Sequence, residues 1–149
     1  MTYGKEALRG RFIPKKASKY VGDVKNIIYR SSLELKFMHW CDRNDAIIQW
    51  NSEEVVVPYR SPKDDLFHRY YVDFVIKVKT ASGEEKVHLV EVKPSRYTVP
   101  PKPPKTRTKS FLSEVVQWGV NSAKWDAARI FAKSKGWNFI LITEKDLSP

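Results

Sequence analysis

The chain contains little cysteine and no long run of apolar residues. The 149 residues include one cysteine, Cys41, so an internal disulfide cannot form. Since Phe37, Met38 and Trp40 precede it, we expect the thiol to be a small buried hydrophobe in a reducing setting. No apolar stretch approaches the roughly 18 residues that a spanning helix needs, and the N-terminus lacks the apolar segment of a signal peptide. These absences predict a protein that is neither secreted nor anchored in a membrane.

Acidic residues are the minority among the charged ones. The chain has 17 Asp and Glu against 27 Lys and Arg, which gives a formal net charge of +10. A hydrophobic fraction of 42% and this length indicate one folded domain with a proper core. Because the charge is strongly positive and no basic amphipathic helix stands out, nucleic acid is a more natural partner than a membrane surface.

Two segments concentrate the basic residues. Residues 1–26 are rich in Lys and Arg, and Gly and Pro break any regular period, so we interpret them as a loosely structured basic arm. Phosphate contact and simple solvation are equally open for this arm. Residues 27–149 form the single predicted domain. Within it, residues 94–110 hold five prolines, five Lys or Arg and no acidic residue, which favours an extended loop lying against phosphates over a plain linker.

Hydrophobic periodicity predicts an α/β fold. Ser31 to Asn44 and Ser110 to Lys135 repeat apolar residues at helical spacing. Ala46 to Tyr59 reads as a first strand that allows a bend, Arg69 to Lys93 as a hairpin, and Trp137 to Thr143 as a buried strand. The predicted order is helix, three strands, helix, strand, in one central mixed β-sheet flanked by helices.

The predicted hairpin carries charge inside apolar strands. If Ala81 to Gly83 form a three-residue turn with Gly83 in the left-handed region, the strand register places Asp73 directly opposite Glu91, with Lys93 on the same face. We expect one face to form the core and the other to collect the charges. One face would hold Val72, Phe74, Ile76, Val78, Lys86, His88, Val90 and Val92, and the charged face Tyr71, Asp73, Val75, Leu89, Glu91 and Lys93.

Two opposed carboxylates suggest a cation. Asp73 and Glu91 would repel one another unless a positive ion lies between them, and oxygen ligands suit Mg²⁺, with Mn²⁺ as a substitute. Lys93 could then orient a water or stabilise charge developing on a phosphate. A cross-strand salt-bridge patch on an exposed face explains the same three residues, and the residues alone leave both interpretations open.

Other polar residues have less certain roles. Glu34 completes a capping box with Ser31, which favours helix capping, although it borders the apolar stripe and could point at the sheet. Asn121 and Lys124 continue a polar stripe that is either solvated or borders the charged side of the hairpin. The candidate DNA contacts are Arg30, Arg96, Lys102, Lys105, Arg107, Lys109, Asn121 and Lys124.

The spacing of these charges resembles a known nuclease superfamily. Asp73, followed after a turn by Glu91-Val92-Lys93, is similar to the PD-(D/E)xK motif, with Val72 where the family has proline. The resemblance implies a restriction-endonuclease-like core and Mg²⁺-dependent hydrolysis of DNA. It also implies metal ligation by Asp73 and Glu91, catalytic positioning by Lys93, and metal or water contact by Glu34 in addition to its cap.

A narrower resemblance implies a biological role. Asn26 to Met38 together with His68 to Phe74 resemble the head-completion nucleases of T-even-type tailed phages, which are similar to a transposase endonuclease subunit. The resemblance implies cleavage of DNA after packaging, in the host cytoplasm during assembly or in the virion, with phage head or portal proteins as partners. A nuclease of repair, restriction or transposition, and a non-catalytic DNA-binding virion protein, are the alternatives.

Overall fold

A computed structural model describes residues 9–147 of the chain. Strand β1 (Gly10–Arg11) pairs antiparallel with β2 (Ile28–Tyr29), and Phe12 between them is buried in the core. Helix α1 (Ser32–Arg43) follows, with Ser31 as its N-cap and Asn44 as its C-cap, in agreement with the predicted bounds. The buried side of α1 includes Cys41, which is fully buried as predicted.

The described part of the predicted basic arm is not loose. The backbone N–H groups of Lys15 and Lys16 each donate to the buried carboxylate of Asp42, at 2.9 Å. Lys19 Nζ donates to the carbonyl oxygens of Cys41 and Asn44 at the C-terminal end of α1. Positive charge at a helix C-terminus is favourable, so the Lys19 side chain, together with the backbone contacts to Asp42, holds this segment on the domain. The first eight residues of the arm lie outside the described residues.

The central sheet is mixed and four-stranded, as the sequence predicts. Its strand order is β3-β6-β7-β8, in which β7 and β8 run parallel and the other neighbours antiparallel. The remaining elements, in chain order, are β3 (Ile47–Ser52), β4 (Val56–Arg60), β5 (Phe67–Tyr71), β6 (Phe74–Lys79), β7 (Glu85–Val92), α2 (Lys109–Ser134), β8 (Asn138–Ile142) and α3 (Glu144–Leu147).

Two predicted strands are each broken in the structure. Glu53 ends β3 in the left-handed region, at φ 57°, and a bend at Asp73 separates β5 from β6. Because of these breaks, β4 and β5 leave the central sheet and pair with each other in a separate hairpin. Backbone hydrogen bonds from Glu53 N–H to the Asp73 carbonyl and from Val72 N–H to the Val55 carbonyl join the two breaks.

The predicted register of the β6–β7 hairpin is confirmed. Thr80 N–H donates to the Glu84 carbonyl at 2.7 Å, and Gly83 has φ 85°. Phe74 pairs with Val90 as the last pair of the ladder, and just beyond it the Asp73 carboxylate accepts from the Val92 N–H, next to Glu91. The three-residue turn therefore sets which residues meet at the far end of the hairpin.

Both faces of the sheet are covered, which corrects the expectation of a single core face. On one face α1 packs against Phe74, Ile76 and Val90. On the other, α2 packs against Leu89 and Val72, which the bend at Asp73 has moved from its predicted face.

Helix α2 begins and ends within one residue of its predicted bounds. Thr108 Oγ1 accepts from Phe111 N–H at its start, and Gly136, at φ 73°, follows its end. None of the helices within residues 9–147 is long and apolar enough to cross a membrane.

Candidate active site

Asp73 is held across the end of the hairpin by a backbone donor. Its Oδ2 accepts from the Val92 N–H at 2.9 Å, and the side chain is half-buried. The bend at Asp73 ends the ladder between β6 and β7 at Phe74 and Val90, so the Val92 amide has this carboxylate as its partner. The interruption of the strand thus positions the carboxylate.

Glu91 is buried and has two polar neighbours. Its Oε1 accepts from the Tyr70 hydroxyl at 2.6 Å, and its Oε2 lies 3.4 Å from Lys93 Nζ. Burial, followed by the nearby charge of Glu91, raises the pKa of Tyr70, so the phenol remains a donor at neutral pH. The structure thus brings Lys93 to Glu91, as predicted.

Sequence reasoning missed Tyr70. In an unbroken strand, Tyr70 and Asp73 would point to opposite faces, because Asp73 is three positions after Tyr70 and side chains alternate from one residue to the next. The bend at Asp73 removes that constraint and brings the hydroxyl to Glu91. No local sequence pattern predicts the bend, because Val72 and Asp73 lie within a run of residues that otherwise favours a strand.

Glu34 takes part in the predicted helix cap and also lies close enough to Glu53 and Glu91 for their charges to act on it. Its N–H donates to Ser31 Oγ at 3.1 Å, and its Oε1 accepts from the Arg30 N–H at 3.1 Å. Burial raises the pKa of Glu34, and the charges of Glu53 and Glu91 raise it further. Its role at a metal or water stays a prediction.

Glu53 is a second residue that the sequence did not single out. Its carboxylate pairs with the guanidinium of Arg30, a predicted DNA contact, and its charge acts on Glu34. A non-glycine residue at positive φ is uncommon, and such strain concentrates at functional sites. Arg30 therefore already has an acidic partner, and its contact with DNA stays a prediction.

The positive charge at this site does not balance the carboxylates. Burial raises the pKa of Asp73 well above its ordinary value, and the charges of Glu91 and Glu34 raise it further. The Val92 N–H and Lys93 oppose this shift without cancelling it. A divalent cation beside the pair would relieve the repulsion, so the donor set fits Mg²⁺ or Mn²⁺.

The candidate metal ligands are two carboxylates, which would leave most coordination positions of a metal ion to water or substrate. Within residues 9–147, no group of three or more His, Cys, Asp or Glu side chains is arranged to hold a metal ion. An open donor set suits Mg²⁺, which keeps several waters and uses one or two carboxylates together with substrate phosphates.

The predicted DNA contacts divide between the loop and α2. Those in the Pro-rich segment are exposed side chains: Arg96, Lys102, Lys105, Arg107 and Lys109. On α2, Asn121 is buried, and Lys124 Nζ lies 5.7 Å from the centre of the Tyr70 ring. Lys124 therefore borders the charged side of the hairpin, whereas contact with DNA stays a prediction for all of these residues.

A mixed sheet that brings Asp73, Glu91 and Lys93 to one end of a hairpin is the arrangement of a restriction-endonuclease-like protein. A family model described as the TnsA-like endonuclease N terminal matches residues 44–144, more than half of the chain. The chain belongs to this family.

A relative covers nearly the whole chain. The head completion nuclease of Enterobacteria phage T4 is 41% identical to it over 145 residues, which are 95% of this chain and 94% of the relative. These matches confirm the resemblance to head-completion nucleases and to the transposase endonuclease subunit.

Proposed function

We propose that this protein is a divalent-metal-dependent DNA endonuclease that acts in the completion of phage heads. The observation that carries the proposal is the grouping of three charged side chains at the end of the β6–β7 ladder. Asp73 accepts from the Val92 N–H, next to Glu91, and Lys93 Nζ lies 3.4 Å from Glu91 Oε2. The family supports endonuclease activity, and the name of the phage T4 relative supports the role in head completion.

The residues at the hairpin end have distinct tasks in this proposal. Asp73 and Glu91 hold the cation, and the Val92 N–H and the Tyr70 hydroxyl keep the two carboxylates in place. A bound Mg²⁺ lowers the pKa of a water and neutralises a phosphate oxygen. Lys93 stabilises the negative charge that develops on the phosphate as the phosphodiester bond breaks.

Glu34 and the basic segments complete the proposal. Glu34 contacts the metal or its water from the start of α1, where its backbone is already fixed by the Ser31 cap. The exposed basic side chains between residues 94 and 110 follow the DNA phosphates, because no acidic residue interrupts that segment. Contact with head or portal proteins in the host cytoplasm or the virion belongs to the same proposal.

Cleavage assays with matched variants test the site. Supercoiled and linear DNA are incubated with the wild type and with Asp73→Ala, Glu91→Ala and Lys93→Ala, in Mg²⁺ and in Mn²⁺. Glu85→Ala is the control, because Glu85 is an exposed carboxylate on the same strand as Glu91. We expect metal-dependent cleavage by the wild type and the control, and none by the three site variants.

Two results would count against the proposal. Cleavage that survives all three substitutions would show that the active site lies elsewhere. DNA binding without cleavage in either metal would favour a non-catalytic virion protein. Cleavage confined to one DNA sequence would instead favour a nuclease of repair, restriction or transposition.

A further inference from the structure

A cavity of about 500 Å³ separates the Pro-rich segment from α2. This volume lies within the roughly 300–1,000 Å³ that small-ligand sites occupy. One wall is formed by residues 96–102 of the Pro-rich segment, and the other by residues 114–121 of α2. The lining residues are Arg96, Tyr97, Val99, Pro100, Pro101, Lys102, Glu114, Gln117, Trp118 and Asn121.

The walls combine aromatic rings with an amide pair. Tyr97 and Trp118 supply the rings, and the guanidinium of Arg96 lies 4.6 Å from the centre of the Tyr97 ring. Gln117 Nε2 donates to Asn121 Oδ1 at 2.9 Å, which presents side-chain amides at the wall. Aromatic faces and amides are the groups by which proteins stack and hydrogen-bond unpaired bases.

The charges that line the cavity differ between its two walls. Glu114 contributes a carboxylate on the α2 side, so a phosphate would be repelled from that wall. Arg96 and Lys102 line the loop side, where both are exposed and suited to phosphates. A planar ring inside and its sugar-phosphate backbone along the loop match this division.

Two short links connect the cavity with the candidate active site. Asn121 lies one turn of α2 before Lys124, whose Nζ is 5.7 Å from the centre of the Tyr70 ring. Tyr70 in turn donates to Glu91. From the other direction, Arg96 lies only three residues beyond Lys93 in the chain. A DNA strand that runs from the carboxylates along the Pro-rich segment would therefore come to the cavity.

We infer that the cavity holds one unpaired base of the DNA strand next to the cleaved phosphodiester, so that the enzyme favours ends, tails or distorted sites over continuous duplex. This inference rests on the proposed DNA endonuclease function. Trp118, which is partly buried against the core beneath α2, then has a second role as a wall for the base.

The test measures binding of fluorescent DNA without divalent cations, so that cleavage does not interfere. The probes are a blunt duplex, the same duplex with a single-stranded tail, and tailed duplexes in which each tail position in turn is abasic. We expect the tailed duplex to bind more tightly than the blunt one, and one abasic position to weaken binding roughly tenfold, as loss of one stacked base does.

Protein variants locate the effect. Tyr97→Ala removes an exposed ring, so the fold is retained, and we expect it to weaken tailed-duplex binding and to remove the sensitivity to the abasic position. Phe67→Ala is the matched control, because Phe67 is another exposed ring beside an arginine, Arg60, away from the cavity. The control should keep the full abasic effect.

The outcomes separate this inference from the proposed function. Equal binding of normal and abasic tails by the wild type, while it still cleaves DNA in Mg²⁺, would overturn the base site alone. The same abasic effect in Tyr97→Ala as in Phe67→Ala would also overturn it. Failure to cleave any DNA with the abasic effect intact would instead overturn the nuclease proposal.

Discussion

The two ends of the β6–β7 hairpin differ in which charges lie close together and in how exposed those charges are. Near the turn, Lys77 Nζ lies 3.9 Å from Glu85 Oε1, and both side chains are substantially exposed. At the far end, Asp73 and Glu91 carry the same charge in a partly or fully buried setting. Opposite charges across strands are the arrangement that favours folding. The far end therefore departs from what stability alone would select, which is typical of a site shaped for a ligand.

The largest expected effect comes from removing one of the like charges. Asp73→Asn should lower the cleavage rate on the order of 10³-fold, because a proposed metal ligand is lost and with it the cation that would stabilise the negative charge of the transition state. The same change should raise the thermal midpoint of the metal-free protein, since the amide oxygen can still accept from Val92 N–H without repelling Glu91. Cleavage assays and thermal unfolding in EDTA measure the two effects.

The gain in stability should depend on pH in a defined direction. Because the pKa of Asp73 is raised in the folded state, the wild type loses stability relative to Asp73→Asn as pH rises from about 4, the unfolded value, through the raised pKa. The difference should therefore vanish at acidic pH and be largest above that pKa. A constant difference at all pH values would contradict the repulsion between carboxylates.

The next effect concerns the donor that holds Glu91. Tyr70→Phe removes the hydroxyl that donates to Glu91 Oε1 and should destabilise the protein by about 2 kcal/mol, the contribution of a hydrogen bond to a charged group. We expect cleavage at low Mg²⁺ to fall by up to roughly thirtyfold, since about 1.4 kcal/mol corresponds to a factor of ten. Tyr71→Phe, at an exposed neighbour, is the control and should change neither quantity. An unchanged Mg²⁺ dependence in Tyr70→Phe would show that the hydroxyl does not position Glu91.

A smaller effect is expected at the turn that sets the register. Gly83→Ala should lower the free energy of unfolding by about 1 kcal/mol, because Gly83 has φ 85°, a backbone conformation that is costly for a residue with a Cβ. The added Cβ would meet no atom within 4 Å, so no clash increases this cost. Gly83→Asn should lose less, since Asn tolerates this region better. Both variants should cleave DNA normally when folded. A folded but inactive Gly83→Ala protein would show that the register has slipped.

The smallest effect is expected at the exposed ion pair. Lys77→Met should change the free energy of unfolding by no more than about 0.5 kcal/mol, because water and salt screen such pairs. Chemical denaturation at low and high salt measures it. A loss comparable to that of Tyr70→Phe would remove the contrast between the two ends of the hairpin.

Much of the fold follows from local patterns. Helical spacing and caps predict α1 and α2 to within a residue, and the three-residue turn predicts the pairing of Asp73 with Glu91. These features depend on neighbours in the chain, whose chemistry is visible in the sequence. The turn is the reason that two of the candidate site residues could be placed together before the structure was known.

The break at Asp73 could not be predicted in this way, and near Glu53 the sequence allowed only a bend within one strand. Asp73 lies in a segment of strand-like composition, and each break is held by a backbone hydrogen bond to a residue about twenty positions away. The contact between Tyr70 and Glu91 depends on these breaks, and so does the movement of Val72 to the other face. Sequence patterns record which residues prefer a strand, but not where a long-range contact interrupts one.

The sequence established the charge of the chain, its two main helices and the opposed carboxylates, because each follows from composition or from spacing along the chain. The three-dimensional packing established how the carboxylates are supported. It brought the Tyr70 hydroxyl and the Val92 amide to them and placed a cavity between the Pro-rich segment and α2. Those relations join residues far apart in the chain, and they exist only once both faces of the sheet are covered.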